Sequence, residues 1–191
     1  MDMVNKEDKS SDKTSAGKQI RDYAISIGFA IVIAMVLRTY VFARADVDGS
    51  SMESTLHDKD VIFVEKLSLI GENIKRGQII IFDSKNSKNE IYVKRVIGVE
   101  GDEIEIKEGK VYLNGSVLKE DYLSENTITK PGTFMTKNKK YKVEKGYIFV
   151  LGDNREHSTD SRELGPISLG DVKGHTIFRL YPFDKMRLFI K

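Results

Sequence analysis

Three short clusters in this 191-residue sequence carry side chains that could catalyse a reaction. Residues 47–56, VDGSSMESTL, are rich in hydroxyl groups, and a hydroxyl becomes a nucleophile once a base accepts its proton. Residues 92–98, YVKRVIG, place two cations on an apolar segment, and residues 152–162, GDNREHSTDSR, contain no large apolar side chain. Each cluster also has a simpler interpretation: a linker, an edge strand with both cations in solvent, and an ordinary polar loop.

The hydroxyl groups need a base, and the sequence offers two kinds. Histidine is the usual base, and His57 or His157 could serve with an aspartate, but nothing in the spacing selects either one. A lysine can serve when burial lowers its pKa. Alternation along a strand sends Lys94 and Arg95 to opposite faces, so one of them tends to face the interior. A buried lysine is unfavourable unless it is neutral or paired, which makes Lys94 the best lysine candidate.

The composition excludes several other kinds of chemistry. With 31 Lys and Arg against 29 Asp and Glu, the formal net charge is +2, which argues against a dedicated nucleic-acid-binding protein. The absence of cysteine excludes thiol catalysis, thiolate metal sites and disulfide bonds. The acidic residues of 152–162 lack the alternating spacing of a calcium loop, so we expect no metal site and no cofactor.

The elements that would position these clusters begin with an apolar segment near the N-terminus. Residues 1–22 are polar and predict a disordered tail, whereas residues 23–42, YAISIGFAIVIAMVLRTYVF, predict a transmembrane helix about 30 Å long. Five Lys and Arg residues precede this segment, whereas only Arg44 and Lys59 follow it within about twenty residues, which predicts a cytoplasmic N-terminus and an extracytoplasmic remainder. The alternatives are a buried core helix and a cleaved signal sequence, for which Ala43-Arg44-Ala45 matches the small-x-small pattern.

Residues 43–191 are long enough for one sizeable core and are dominated by short strand patterns. Strands are predicted at residues 61–64, 79–82, 91–97, 104–106, 111–113, 147–151 and 172–180, and Asn114-Gly115 predicts a hairpin turn. We therefore expect a mainly β extracytoplasmic domain, antiparallel and partly barrel-like, behind one N-terminal transmembrane helix. Residues 119–146, which are richer in Lys, Thr and Asn, predict a peripheral insertion or a long hairpin.

The three clusters, taken in sequence order, resemble the motifs of bacterial type I signal peptidases, membrane-anchored endopeptidases with a Ser/Lys dyad. Residues 51–56, SMESTL, resemble the nucleophile motif, and residues 94–102, KRVIGVEGD, resemble the motif that supplies the base. Residues 152–162 resemble the last motif and are the most specific single string. The resemblance covers residues 23–182, including the N-terminal anchor.

The resemblance implies a role for each matched residue. Ser51 would be the nucleophile, Lys94 the general base that deprotonates it, and Ser158 a hydrogen-bond partner that holds the Lys94 amine. The backbone N–H of Ser51 would stabilise the oxyanion. Ion pairs would support the site through Asp153, Arg155, Asp160, Arg162 and Arg95. Shallow pockets for small substrate side chains would be lined by Val47, Met52, Leu56, Tyr92 and Val93.

Two positions of the nucleophile motif depart from the pattern of this family. Many members have a hydroxyl residue where this chain has Gly49, which leaves the second oxyanion donor open. The family usually has proline just before the threonine of the motif, and this chain has Ser54 there. The restraint that proline places on the backbone angle φ is therefore absent from the turn.

The implied function is that of a membrane-bound serine endopeptidase, which removes N-terminal signal peptides from exported precursor proteins after small residues (Ala-x-Ala). Its partners would be secretory precursors and the lipid bilayer, with no nucleic acid, and it would be a single-pass protein of the cell membrane. One alternative is a self-cleaving repressor-like Ser/Lys protease, against which the anchor argues. The other is a membrane-anchored β-domain that binds exported peptides without cleaving them; the presence of Ser51, Lys94 and Ser158 argues against it.

Overall fold

The structure, a computed structural model, describes the backbone at residues 11–66, 74–85 and 90–189, and the side chains at the same residues except 11–16 and 39–40. The chain divides into two compact units, Met1–Val41 and Phe42–Lys191. This boundary falls inside the predicted transmembrane segment 23–42, because Phe42 already belongs to the first strand.

The first unit is a helix, α1, which runs over Ser11–Val36 and continues as one π-helical turn over Leu37–Val41. Its residues Gly17–Val36 are long and apolar enough to cross a membrane, and none of them is buried. The helix begins inside the segment 1–22 that predicted a disordered tail, of which residues 1–10 lie outside the described residues. Once a helix has formed, each further residue adds a hydrogen bond, and Lys, Gln, Arg and Ala favour its extension.

The second unit is built from short strands and one single-turn helix. In chain order they are β1 (Phe42–Asp46), β2 (Val61–Glu65), β3 (Ile79–Asp83), β4 (Ile91–Gly98), β5 (Glu103–Lys107), β6 (Lys110–Leu113), β7 (Ser116–Val117), β8 (Lys140–Lys142), β9 (Tyr147–Leu151), α2 (Ser161–Leu164), β10 (Ile167–Ser168), β11 (Val172–Tyr181) and β12 (Arg187–Leu188). Two 3₁₀ turns, Leu169–Asp171 and Phe183–Lys185, flank β11.

All the strand pairs are antiparallel, and they form two sheets. The larger sheet has eight strands in the order β1-β2-β11-β3-β4-β9-β10, with β12 also paired to β11, and the smaller has the order β7-β6-β5-β8. In the described part of the chain β1 and β10 remain the edges of the larger sheet, so it does not close into a barrel. The prediction of a mainly β, antiparallel domain behind one N-terminal apolar helix is confirmed.

The predicted strands correspond to β2–β6, β9 and β11, since each has enough apolar residues for its pattern to be visible. The predicted hairpin turn joins β6 to β7, with φ of 53° at Asn114 and 82° at Gly115. Asparagine and glycine tolerate these left-handed values better than other residues. Strands β1, β8, β10 and β12 were not predicted, because they are short or carry several charged residues.

Residues 119–146, predicted as a peripheral insertion, are in part integrated into the core. Met135 is 0% exposed and Val143 is 2% exposed, and both belong to the apolar cluster that contains Ile104 and Ile106 of β5. Lys140–Lys142 adds β8 to the smaller sheet. The few apolar residues of this segment follow no regular period, so the sequence pattern did not reveal that they are buried.

Candidate active site

Ser51 lies in a tight turn that connects β1 to β2. The backbone N–H groups of Thr55 and Leu56 both donate to the carbonyl of Met52, at 3.0 and 2.8 Å. The carbonyl of Ser51 itself accepts a hydrogen bond from the backbone N–H of Asn154, at 3.0 Å. Val47 before Ser51, and Met52 and Leu56 after it, are buried in an apolar cluster with residues of β2 and β3, so the chain is held on both sides of Ser51. The linker interpretation of residues 47–56 is therefore excluded.

Lys94 reaches Ser51 because β4 is a central strand. It is paired with β3 on one side and with β9 on the other, and Lys94 and Arg95 are only 3% and 6% exposed. The edge-strand interpretation, with both cations in solvent, is therefore wrong. Lys94 Nζ lies 2.7 Å from Ser51 Oγ and 3.0 Å from the carbonyl oxygen of Val93.

Burial lowers the pKa of Lys94 from 10.5 to about 8, because an ammonium ion loses its hydration in this environment. The nearby carboxylates of Asp160 and Asp153 act in the opposite direction, since they stabilise the charged form. At pH 7 roughly a tenth of the molecules therefore carry a neutral amine. Only the neutral amine has a lone pair that can accept the proton of Ser51.

The histidines that could have supplied the base lie in other surroundings. His175 Nδ1 is 3.1 Å from the carboxylate of Glu65 on the neighbouring strand β2. His57 is exposed, and its backbone N–H donates to Asp60 at 2.9 Å. His157 lines the cleft beside Ser51. Of the candidate bases, Lys94 is the one with a described hydrogen bond to Ser51.

Asp160 organises the loop of residues 152–160 and is 0% exposed. One of its carboxylate oxygens accepts hydrogen bonds from the backbone N–H of Gly152 at 3.0 Å and from Ser158 Oγ at 2.8 Å. Its other oxygen accepts from the backbone N–H of Arg162, and the Arg162 guanidinium donates to both oxygens at 2.8 Å. The resemblance implied a hydrogen bond between Ser158 and the Lys94 amine; in the described residues the Ser158 hydroxyl donates to Asp160.

A second buried ion pair connects β4, the loop of residues 152–160 and the turn that contains Ser51. Arg95 donates to both carboxylate oxygens of Asp153, at 2.9 and 2.6 Å, and these side chains are 7% and 0% exposed. The same guanidinium donates to Thr55 Oγ1 at 3.2 Å and to the carbonyl of Gly77 at 2.9 Å. Arg95 is therefore saturated with acceptors, which is what allows a cation to be buried.

A third buried ion pair near the dyad contains Arg155, whose partner was not identified from the sequence. Its guanidinium donates to the carboxylate of Glu120 at 2.5 and 3.1 Å and to Thr129 Oγ1 at 2.6 Å. Nearby, the ring of Tyr122 lies 3.9 Å from the guanidinium carbon of Arg95. No sequence signal marked Glu120 or Tyr122, because they lie among polar residues far from the motifs in the chain.

A cleft of about 540 Å³ opens beside Ser51 and Lys94. Four of the five predicted pocket residues line it, namely Val47, Met52, Tyr92 and Val93, whereas Leu56 is absent from the lining and is 0% exposed in the core below. Further lining residues that the sequence analysis did not assign to the pocket include Ile81, His157 and Thr159. Apolar side chains thus lie next to Ser51 and Lys94 in a lining that also contains polar residues.

The two departures from the family pattern have visible backbone consequences. Gly49 has φ of +91°, and its N–H donates to Asp58 at 2.9 Å, so this loop depends on a left-handed residue. Ser54 has φ of +84°, which the ring of proline cannot adopt. A turn of this shape therefore requires a residue other than proline at position 54, and the Ser54 hydroxyl donates to the carbonyl of Tyr122 at 3.0 Å.

Comparison with known proteins places these residues in a wider context. The family model described as "Signal peptidase, peptidase S26" matches residues 20–181. Signal peptidase I of Bacillus amyloliquefaciens is 39% identical over 92% of this chain and 96% of its own length. Signal peptidase IB of Staphylococcus aureus (strain COL) is 34% identical over 89% of this chain and 94% of its own. A crystal structure of a signal peptidase I from Enterococcus faecalis V583 is 31% identical, with a TM-score of 0.44 over 53% of this chain and 95% of that one.

Proposed function

The chain belongs to the signal peptidase family, peptidase S26, and we propose that Ser51 and Lys94 form the catalytic dyad with which it removes signal peptides from exported precursors. The family and the relatives named Signal peptidase I support the general activity of a serine endopeptidase that acts on signal peptides. The proposal adds the identity of the reacting groups, the preference for small residues and the attachment to a membrane.

The observation that carries the assignment is the contact between Lys94 Nζ and Ser51 Oγ, 2.7 Å long, made by a lysine that is only 3% exposed. The two residues come from separate elements, a turn and a central strand, and both are held by buried neighbours. Burial that lowers the pKa of Lys94 to about 8 gives the amine a basicity matched to work near neutral pH.

In the proposed reaction, the neutral amine of Lys94 takes the proton of Ser51 as Oγ attacks the carbonyl carbon of the scissile bond. The bond's carbonyl oxygen becomes an oxyanion, which the backbone N–H of Ser51 stabilises. Lys94 then transfers the proton to the leaving amine, the C–N bond breaks, and the signal peptide remains as an ester on Ser51. Water, deprotonated by the same amine, attacks the ester; Lys94 returns this proton to Ser51 Oγ as the C–O bond breaks, and the signal peptide leaves with a free carboxylate.

The cleft supports a preference for small side chains near the scissile bond. The walls close to the dyad are apolar and are formed by Val47, Met52, Tyr92 and Val93. Small uncharged side chains of the size of alanine would be buried against them. We propose that the precursor binds in an extended conformation along this cleft, with small residues at the first and third positions before the cleaved bond.

Attachment to the membrane is proposed for α1. Its apolar part, Gly17–Val36, would span about 30 Å if inserted as a helix, which matches the hydrocarbon thickness of a bilayer. Several Lys and Arg residues lie before this segment in the sequence, which supports a cytoplasmic N-terminus and an extracytoplasmic β-domain. This arrangement would put the peptidase on the side of the membrane where exported precursors emerge.

The test is cleavage of a secretory precursor with an Ala-x-Ala site by the full chain in detergent or liposomes. We expect the wild type to cut after the second alanine, and Ser51→Ala and Lys94→Ala to be inactive while retaining the unfolding temperature of a folded domain. Exposed residues of the same types serve as controls, because Ser116→Ala and Lys110→Ala should cleave like the wild type. Binding of the precursor without cleavage by the wild type would instead support a peptide-binding domain. Full activity of Lys94→Ala would contradict the dyad.

A further inference from the structure

Arg155 is the most completely enclosed cation near the proposed dyad, with a side chain that is 0% exposed. A buried guanidinium needs a counter-charge, and Glu120 supplies it with both carboxylate oxygens, at 2.5 and 3.1 Å, from a side chain that is itself 11% exposed. Glu120 also accepts a hydrogen bond from the Tyr122 hydroxyl at 2.6 Å. The ion pair is thus bidentate, largely desolvated and fixed further by Tyr122. In this geometry Glu120 restricts the Arg155 guanidinium to one position.

Arg155 also holds the loop of residues 152–160, which lies against Ser51. Its Nε donates to the carbonyl of Gly152 at 2.9 Å, and its own carbonyl accepts from Arg162 at 2.8 Å. Gly152 lies so close to the dyad that a Cβ there would sit 2.5 Å from the carbonyl oxygen of Ser51 and 2.2 Å from Ser158 Oγ. A shift of Gly152 toward Ser51 would therefore press on the backbone carbonyl of Ser51.

The segment that contains Glu120 holds the site at two further points. The ring of Tyr122 covers the guanidinium of Arg95 at 3.9 Å, and Arg95 is the cation that binds Asp153. The carbonyl of Tyr122 accepts a hydrogen bond from Ser54 Oγ at 3.0 Å, three residues after the nucleophile in the same turn. Residues 120–122 therefore touch the loop, the central strand and the nucleophile turn together.

We propose that Glu120 is a positioning residue of the peptidase, which acts on Ser51 through Arg155 and the carbonyl of Gly152. The inference rests on the proposed function, since it assumes that Ser51 attacks the substrate. Glu120 does not line the cleft at the dyad, so it acts on the placement of the nucleophile and not on the binding of the precursor. Because a misplacement of about 1 Å can lower a catalytic rate about 100-fold, loss of this pair should reduce kcat and leave KM nearly unchanged.

The experiment compares Glu120→Gln with Glu125→Gln in the full chain, using the precursor cleavage assay. Glu125 is an exposed glutamate of the same segment, so the control has the same chemical change without the buried partner. We expect Glu120→Gln to lower kcat about 10- to 100-fold, with KM within about threefold of the wild type. Glu125→Gln should leave both unchanged. Rates are expressed per folded molecule, with the folded fraction taken from thermal unfolding, so that loss of stability alone does not count as an effect.

A second comparison asks whether Glu120 acts through Arg155. In an Arg155→Met background the glutamate has no buried cation to hold, so adding Glu120→Gln should cause no further loss of kcat and should restore part of it. If either Arg155 variant is unfolded, Thr129→Val takes its place, since it removes only the 2.6 Å hydrogen bond to the guanidinium. That variant should also lower kcat and leave KM unchanged, but the loss of kcat should be smaller.

The outcomes separate the two proposals. If the kcat of Glu120→Gln per folded molecule lies within about twofold of that of Glu125→Gln, the proposed positioning role of Glu120 is wrong, while the proposed dyad is unaffected. An equal loss from Glu120→Gln in the wild-type and Arg155→Met backgrounds would also overturn it, because the carboxylate would then act independently of the arginine. If the wild type itself does not cleave, or Ser51→Ala does, the proposed function fails and this inference falls with it.

Discussion

Replacement of Lys94 by methionine should stabilise the protein while it abolishes cleavage. Methionine is unbranched and similar in length to lysine, but it carries no charge that must be desolvated. In the wild type, burial lowers the pKa of Lys94 from 10.5 to about 8, which means that the folded state disfavours the ammonium form. Functional residues held in such unfavourable surroundings commonly reduce stability, and their replacement commonly increases it.

The size of the effect follows from the pKa difference between the folded and unfolded states. A fall from 10.5 to about 8 corresponds to about 3 kcal/mol, at roughly 1.4 kcal/mol for each pKa unit. Between pH 8 and 10.5 the unfolded chain holds more protons at Lys94 than the folded chain, so the wild type gains stability as the pH rises through this window. Below about pH 8 the full penalty is present, and it vanishes above 10.5.

The assay is denaturant or thermal unfolding of the full-length wild type and Lys94→Met in detergent, followed by circular dichroism from pH 6.5 to 10. We expect the free energy of unfolding of Lys94→Met to exceed that of the wild type most at pH 6.5, and the gap to shrink by roughly 2–3 kcal/mol at pH 10. Other titrating groups are common to both proteins and cancel in this difference. A gap that stays constant with pH would refute the argument, because it would show that Lys94 has no lowered pKa in the folded state.

Three further predictions concern the same site. The kcat/KM for precursor cleavage should rise about tenfold between pH 7 and 9 with an apparent pKa near 8, because only neutral Lys94 accepts a proton, and a flat profile would contradict its role as base. Gly152→Ala should lower kcat at least tenfold, because its Cβ would lie 2.2 Å from Ser158 Oγ, whereas Gly170→Ala, with a nearest contact of 3.6 Å, should cleave normally in the same assay. Ser54→Pro should lower the unfolding temperature by several degrees, because proline cannot adopt φ of +84°. Ser54→Gly should preserve or raise the unfolding temperature, because glycine adopts this φ readily. Equal unfolding temperatures for the two variants would show that the turn has another shape.

Several features of the fold could be predicted because they depend on short stretches of sequence. Strands such as β3 and β4 have runs of apolar residues, and the Asn114-Gly115 turn has the residue types that left-handed φ values require. The sequence placed the start of the helix at Tyr23, where the apolar run begins, whereas α1 begins at Ser11. A helix can extend into the polar residues before an apolar run, because each added residue forms one more hydrogen bond. Strand β1 has no strand-like sequence pattern of its own and is recognised only by its pairing with β2.

The same contrast applies to the site. The hydroxyl-rich segment and the lysine on an apolar strand were each visible in the sequence as candidates, as was the loop of acidic and basic residues at 152–162. The contact of Ser158 with Asp160, the buried position of Leu56 and the ion pair of Glu120 with Arg155 were not. Each of these depends on which side chains face one another after the strands have paired.

The sequence alone therefore predicted the candidate reactive side chains, the apolar helix and the β class, because residue type and local periodicity encode them directly. The tertiary structure established which groups touch: Lys94 meets Ser51 across 43 positions of the chain, and Arg155 meets Glu120 across 35. Such distances are closed by antiparallel register and side-chain packing, which a linear pattern does not contain. Burial likewise depends on several elements at once, so the fall in the pKa of Lys94 on which the proposed dyad depends arises only when β4 is paired with both β3 and β9.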